Sequence, residues 1–480
     1  MRNLTLLRAA WTFALIAFLG GTTVTVFGQN NGGGGNNGGG GNNGGGGNNG
    51  GVAGISIDAT GVLRVMQVDP TLAAQQRQAA LQSKPRKELK TSPMRMVSLN
   101  RLESFVKKQL DAGKSLSDEV MSLAGLQRLE YVFYLPETQD IVIAGPADEW
   151  YRDYNNRLVG LSNGRSTLRL DDLVVALRAF APGQGATSVI GCSIDPTPEG
   201  LKRMNQFHAS VAANGVDSRQ LNNPQFVSQY VTNMRDALGY QTISIKGVPK
   251  TTRFAQVLVE ADYRMKLIGI GLQDPLVPMT TWIQKSRPRT GANALQRWYF
   301  EADYSTVSSN EDGTAMHLVG KGVKLSGELE GVKSDGTRQR SGKSGDPASN
   351  TFTKEFTDKF DAIAEMTPVF NEMRNLFDIS IAAAFIQDRG LYDKAGWDLG
   401  IFGDESRFSV YSSAEVNQVE TAINYVIKDS QLMTPIGGGV HIAARKLVDP
   451  SSVSVDPAIS DNVQKLGAPK DLAADQWWWD

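Results

Sequence analysis

An α+β fold, grading into mixed α/β, is predicted by three observations. Period-two apolar runs flank short turns, as in Tyr131–Leu135 and Asp140–Ala144 around Pro136–Gln139. Capped runs of helical period alternate with them. Beyond residue 350 the helical period dominates. Together these place a strand–helix body with β-hairpins over 52–333, divisible into two subdomains, and a helix-rich part over 351–480.

The elements follow in chain order. Ile55–Ile57 and Val62–Val65 read as a hairpin turned at Asp58–Gly61, and residues 70–95 as a polar connector carrying Lys84, Arg86, Lys87, Lys90 and Arg95. Leu99, Leu102, Val106 and Leu110 mark a helix capped by Ser98 or Asn100. Asp171 is expected to cap a helix stopped by Pro182-Gly183. Ser188–Ile194 reads as a buried strand leading to Thr197 as cap and Pro198 as first helical residue. Asn223-Pro224 opens a helix that Gly239 closes, and Gln241–Lys246 returns as a strand.

Arg253–Leu267 is the longest amphipathic unit. Phe254, Val257, Leu258, Ala261 and Met265 share one face, while Glu260/Arg264 and Asp262/Lys266 pair one turn apart on the other. From Trp298 the period returns to two, through the turn Asn310–Gly313 and on to Leu329. The Gly/Ser/Lys/Asp-rich stretch 334–350 is predicted to be a flexible loop separating the body from helices carrying Phe356, Phe360, Ile363 and then Phe370, Met373, Phe377. A last strand-like piece, Met433–Ile442, surrounds Gly437-Gly438-Gly439, and Trp477-Trp478-Trp479 precedes Asp480.

Before the body, Arg2 and Arg8 make a positive start ahead of the apolar run Ala9–Leu19, and small residues lead to Gly28, the pattern of a signal peptide over 1–28. A retained anchor is the alternative, since the run approaches the ~20 residues that span a bilayer; Gly20, Gly21, Thr22, Thr23 and Thr25 dilute it. Residues 29–51 are a Gly/Asn low-complexity linker without side chains to bury, expected to be disordered and to span about 25 Å as a coil. The chain is therefore expected to be exported to the periplasm, envelope or medium, with no transmembrane segment once the leader is removed. Removing 1–28 takes Lys+Arg from 49 to 47 against 50 acids, a net charge near −3 that offers no field for nucleic acid. A single Cys excludes an internal disulfide.

No cofactor or metal is expected. His208, His317 and His441 lie far apart in sequence, Gly269-Ile270-Gly271 lacks a third glycine, and no Cys pair exists. His208, beside the stripe Leu201, Met204, Phe207, Val211, reads as structural. Cys192, at a strand end before a helix, is a candidate nucleophile whose apolar neighbours favour an inert core thiol. Glu301 and Asp303, about 7 Å apart on one strand face, could act as paired carboxylates or as solvated hairpin acids. Ser104-x-x-Lys107, Ser308-Ser309-Asn310 and Lys343-Ser344-Gly345 follow the order of penicillin-binding-protein elements, but Ser104 falls inside a helix and Lys343 in a predicted loop. The triple Trp is a candidate partner contact, or a clamp onto its own domain.

Four phrases carry a resemblance: Ile190–Gly200 (IGCSIDPTPEG), Arg253–Lys266 (RFAQVLVEADYRMK), Arg297–Glu301 (RWYFE) and Met433–Val440 (MTPIGGGV). The chain after Val52 resembles an uncharacterised domain family of exported proteins in planctomycete bacteria. The resemblance implies export and assigns no catalytic residue. The sequence is thus expected to encode an exported non-enzymatic protein that binds an envelope protein or glycan, or serves structurally. The alternative is a secreted hydrolase of peptide or glycan drawing on Cys192, Glu301, Asp303, His317 and His441.

Overall fold

A computed structural model describes residues 54–480 except 59, 67–68, 83–89, 186, 216–219, 221–222, 287–293, 334, 345, 425–436, 468–471 and 474. The expected leader and Gly/Asn linker, most of the basic stretch, and Met433–Pro435 with Ile436 lie outside these residues. The α+β expectation holds, with helices and mixed sheets interleaved along the chain.

The strands are β1 (Ile55–Ile57), β2 (Val62–Val65), β3 (Ser92–Ser98), β4 (Tyr131–Leu135), β5 (Asp140–Ala147), β6 (Trp150–Arg152), β7 (Leu158–Gly160), β8 (Ile190–Pro196) and β9 (Gln241–Lys246). They continue as β10 (Ala294–Asp303), β11 (Thr306–Ser309), β12 (Ala315–Val319), β13 (Gly322–Val332), β14 (Arg338–Ser344), β15 (Gln418–Val419), β16 (Gly437–Ile442), β17 (Ser454–Val455) and β18 (Trp478–Trp479). A nine-stranded sheet runs β1-β2-β15-β9-β8-β16-β10-β13-β14, and a seven-stranded sheet β17-β11-β12-β4-β5-β3-β18.

Helices Arg253–Gly269, Pro347–Asp358 and Val369–Asp388 cover one face of the large sheet. Trp298 and Phe300 of β10 point into this layer, Trp298 lying 4.6 Å from Phe352 and donating to Ser349 Oγ at 2.8 Å. A Cβ on Gly269 would stand 2.1 Å from the Trp298 ring, so the helix needs glycine there to let the indole in. The second sheet is buried on both faces. Val97, Val132, Ile141 and Ile143 join the main core, while Met96, Phe133 and Val142 meet Ile459 and Trp479. Two-sided burial explains the nearly continuous apolar runs of β4 and β5. One apolar cluster extends from Ile55 to Trp477, across the stretch 334–350.

Several caps are as the sequence predicts. Ser98 accepts from Arg101 N, Thr197 from Gly200 N, and Asn223 from Gln225 N. Others differ. The polar connector contains a helix, Pro70–Gln82, and the strand β3; the helix buries none of its residues, so it leaves no apolar period to read. Arg169, not Asp171, stands at the N-cap of Leu170–Ala179, and Asp171 instead accepts from Tyr411 N. Within the expected loop 334–350, residues 338–344 form β14, paired with β13, and Pro347 opens a helix. Lys343 therefore lies in a strand.

The three indoles are engaged by their own chain. β18 pairs with β3, burying Trp477 and Trp479, while Trp478 donates to Glu119 at 2.7 Å. Arg95, fully buried, holds Asp480 through two bonds of 2.8 and 2.9 Å and lies 4.6 Å over Trp478. Trp479→Ala would empty this second core and is expected to cost about 3–5 kcal/mol in urea unfolding. A loss within ~0.5 kcal/mol would show that the strand merely rests on the sheet.

Candidate functional site

The face of the large sheet opposite the helices bears a cleft of about 1130 Å³. Strand alternation builds it. Ile190, Cys192 and Ile194 of β8, Val440 and Ile442 of β16, and Trp298 and Phe300 of β10 are buried. Their neighbours Gly191, Ser193, Asp195, Gly439, His441, Arg297, Tyr299 and Glu301 line the cleft.

Register aligns these side chains in three rows across the strands. The first runs Lys324, Glu301, His441, Gly191, Lys246. The second runs Ser326, Tyr299, Gly439, Ser193, Ser244. The third begins Glu328, Arg297, Gly437, and Asp195 and Thr242 pair at its far end. Between β10 and β8 the floor is nearly bare backbone. A Cβ on Gly439 would stand 2.0 Å from the Cys192 carbonyl oxygen, one on Gly438 1.7 Å from that of Trp298, and one on Gly191 2.2 Å from that of Val440. Larger residues there would force the strands apart.

The third row is closed off. Arg297 meets Asp195 at 2.9 Å and Glu330 at 3.4 Å, and Arg338 meets the same acids at 2.8 and 3.6 Å. Burial would raise the Asp195 carboxyl, but Arg297 and Arg338 outweigh it and hold the group below its ordinary value. The β13–β14 turn then bends over this end. Asn205 Nδ2 donates to Lys333 O at 3.3 Å, and Gly336 approaches so near that a Cβ would lie 2.1 Å from Pro198 O. The result is a cleft blind at its ion-paired end and open where Glu301, His441 and Lys246 stand.

Beneath the floor lies a second polar layer. Lys266 Nζ donates to Ile194 O at 3.1 Å and to Asp262 at 2.8 Å, all within the core. Glu260/Arg264 and Asp262/Lys266 are paired as the sequence predicts, yet both pairs are buried, where a solvated face was expected.

Of the candidate residues, Cys192, Glu301 and His441 come to the cleft, whereas Asp303 and His317 are not among its lining residues. Glu301 and His441 are cross-strand neighbours, and Glu301 accepts from Ser326 Oγ at 2.6 Å. Cys192 belongs to the buried core, and burial pushes its thiol well above the ordinary value, away from nucleophilic use. His317 stacks on Tyr131 at 4.1 Å in the other sheet, and His208 meets Tyr230 OH at 2.7 Å between two helices. Ser104, Ser308 and Lys343 fall on three different elements: a helix and the smaller sheet carry the serines, the large sheet the lysine. Among the described residues no group of three or more His, Cys, Asp or Glu could hold a metal ion, and no helix is long and apolar enough to cross a membrane. Sequence reading missed Arg297, Tyr299, Glu328, Glu330, Arg338, Ser193 and Ser244; only the period of each strand hints at them.

Residues 192–282 match a family described as protein of unknown function (DUF1598). The match takes in β8 from Cys192 onward, β9 and the helix Arg253–Gly269, hence most of one side of the cleft floor and the polar layer beneath it. No curated protein and no solved structure matches the chain.

The buried pair makes stability depend on pH. Burial lifts the Asp262 carboxyl from 3.8 to about 6, against the opposing pull of Lys266. Between those values the folded chain keeps a proton that the unfolded chain has released, so this group's stabilisation is present at low pH and is lost as pH rises. Compared with Asp262→Asn, the natural chain is expected to lose up to about 3 kcal/mol between about pH 4 and 6.5 in urea unfolding. A difference that stays flat, or grows in the natural chain's favour, would contradict this.

Proposed function

We propose that the chain is an exported, non-enzymatic binding protein of a bacterial envelope, and that the blind cleft is where it holds its ligand. The cleft carries the reading. It is roomy enough for a sizeable ligand, its floor is fixed by paired strands, and its deep charges are neutralised against one another. Paired ions of this kind orient a ligand without supplying an activated nucleophile, and the thiol below is held protonated by burial. Export is supported by the charge, apolar run and small-residue exit of residues 1–28, and tethering by the Gly/Asn linker 29–51. The resemblance to planctomycete exported proteins points the same way. The division into a body over 52–333 and a part over 351–480 belongs to the same proposal, with 437–442 of the second part completing the floor of the first.

The test uses the full chain expressed in a planctomycete host. The protein is expected in the envelope or periplasmic fraction with Gln29 as its first residue, and Ser244→Arg, which fills the cleft from an exposed position, is expected to release it from isolated envelopes. Recovery from cytosol with residues 1–28 intact would overturn the export reading. Equal retention of Ser244→Arg would overturn the assignment of the cleft.

A further inference from the structure

We infer that the ligand of the cleft is a neutral, hydroxyl-rich sugar chain lying across the strands, an inference that rests on the binding reading given above. The central row supplies the track. Tyr299, Gly439, Ser193 and Ser244 stand side by side on β10, β16, β8 and β9, and neighbouring strands about 4.8 Å apart make the track about 14 Å long. Small residues leave it open; Tyr299 ends it with an aromatic ring against which the C–H face of a sugar can pack.

The walls on either side match hydroxyl chemistry. Glu301, His441 and Lys246 form one, and Arg297 and Asp195 the other. Each sugar hydroxyl donates and accepts at once, and this set offers carboxylates to receive and cationic groups to give. Over the whole lining four acids, Asp195, Glu301, Glu328 and Glu330, stand against Lys246, Arg297 and Arg338, a formal charge of only −1, so the cleft has no strong field for a polyanion or a polycation.

A peptide fits less well. Peptides commonly join a sheet by adding a strand to a free edge. Here the floor strands β8, β16 and β10 are each paired on both sides, so the floor itself has no edge to offer. Recognition must go through side chains, and those present are hydroxyls, a phenol, an imidazole and paired ions.

The test is calorimetric titration of the full chain with the β-1,4-linked tetramers of glucose and of N-acetylglucosamine, their dimers, and tetra-alanine. At least one tetramer is expected to bind, more tightly than its dimer because the track is longer than two rings. Tyr299→Ala is expected to weaken it about tenfold, the scale of a lost aromatic contact. Ser244→Arg is expected to abolish it while leaving the circular dichroism unchanged, which guards against a Tyr299 variant that simply misfolds. Binding of tetra-alanine, blocked by Ser244→Arg, with no sugar bound would overturn the sugar assignment and leave the cleft as a binding site. Sugar binding that neither variant disturbs would place the site elsewhere, and failure of both tetramers to bind would also overturn the inference.

Discussion

Helix Arg253–Gly269 carries five charged side chains, Arg253, Glu260, Asp262, Arg264 and Lys266, and every one is buried. Taking an ion out of water costs several kcal/mol unless a partner meets it in good geometry. The fold around this helix is organised by that requirement. Arg253 meets Asp172 and Glu372; Arg157 meets Glu372 and, at 2.8 Å, Glu260; Arg264 meets Glu260 at 2.8 Å and the Gly54 carbonyl at 2.9 Å. Residues from four other parts of the chain, Gly54, Arg157, Asp172 and Glu372, are thus fixed against one axis. Within this set three arginines face three acids, so the cluster is neutral as a whole.

The same axis positions the cleft. The C-terminal half of the helix lies under β8 and β16, where Lys266 donates to Ile194 O and its Cε would come within 3.2 Å of a side chain at Gly438. The floor glycines, the lysine beneath and the strand spacing form one constraint: none can change alone. Above this layer the ion pairs of Asp195, Glu330, Arg297 and Arg338 close one end.

Much of the local structure was legible in the sequence. Ser98, Thr197 and Asn223 announced helix starts because a short polar side chain before an apolar period has little else to do. Glu260/Arg264 and Asp262/Lys266 announced their pairing through spacing. Their burial was hidden, since i,i+4 spacing is the same in water and in a core. β14 was hidden because Gly, Ser and Lys suit an edge strand as well as a loop. The cleft was the least legible feature. Tyr299, Gly439, Ser193 and Ser244 become neighbours only through the registers of β10, β16, β8 and β9, which no local pattern encodes. Glu301 was named as a candidate through its spacing from Asp303, and His441 through its residue type; the parallel pairing of β10 with β16 makes them adjacent.

The dependence of the fold on the buried ion cluster is tested most directly at Glu372, whose carboxylate serves both Arg157 and Arg253. Glu372→Gln keeps the shape and removes the charge, leaving two guanidinium groups under-compensated in the core. Urea unfolding of the full chain should show a loss of about 3–5 kcal/mol. Unchanged stability, within ~0.5 kcal/mol, would mean that the arginines are compensated by other groups and that the cluster does not hold the helices together.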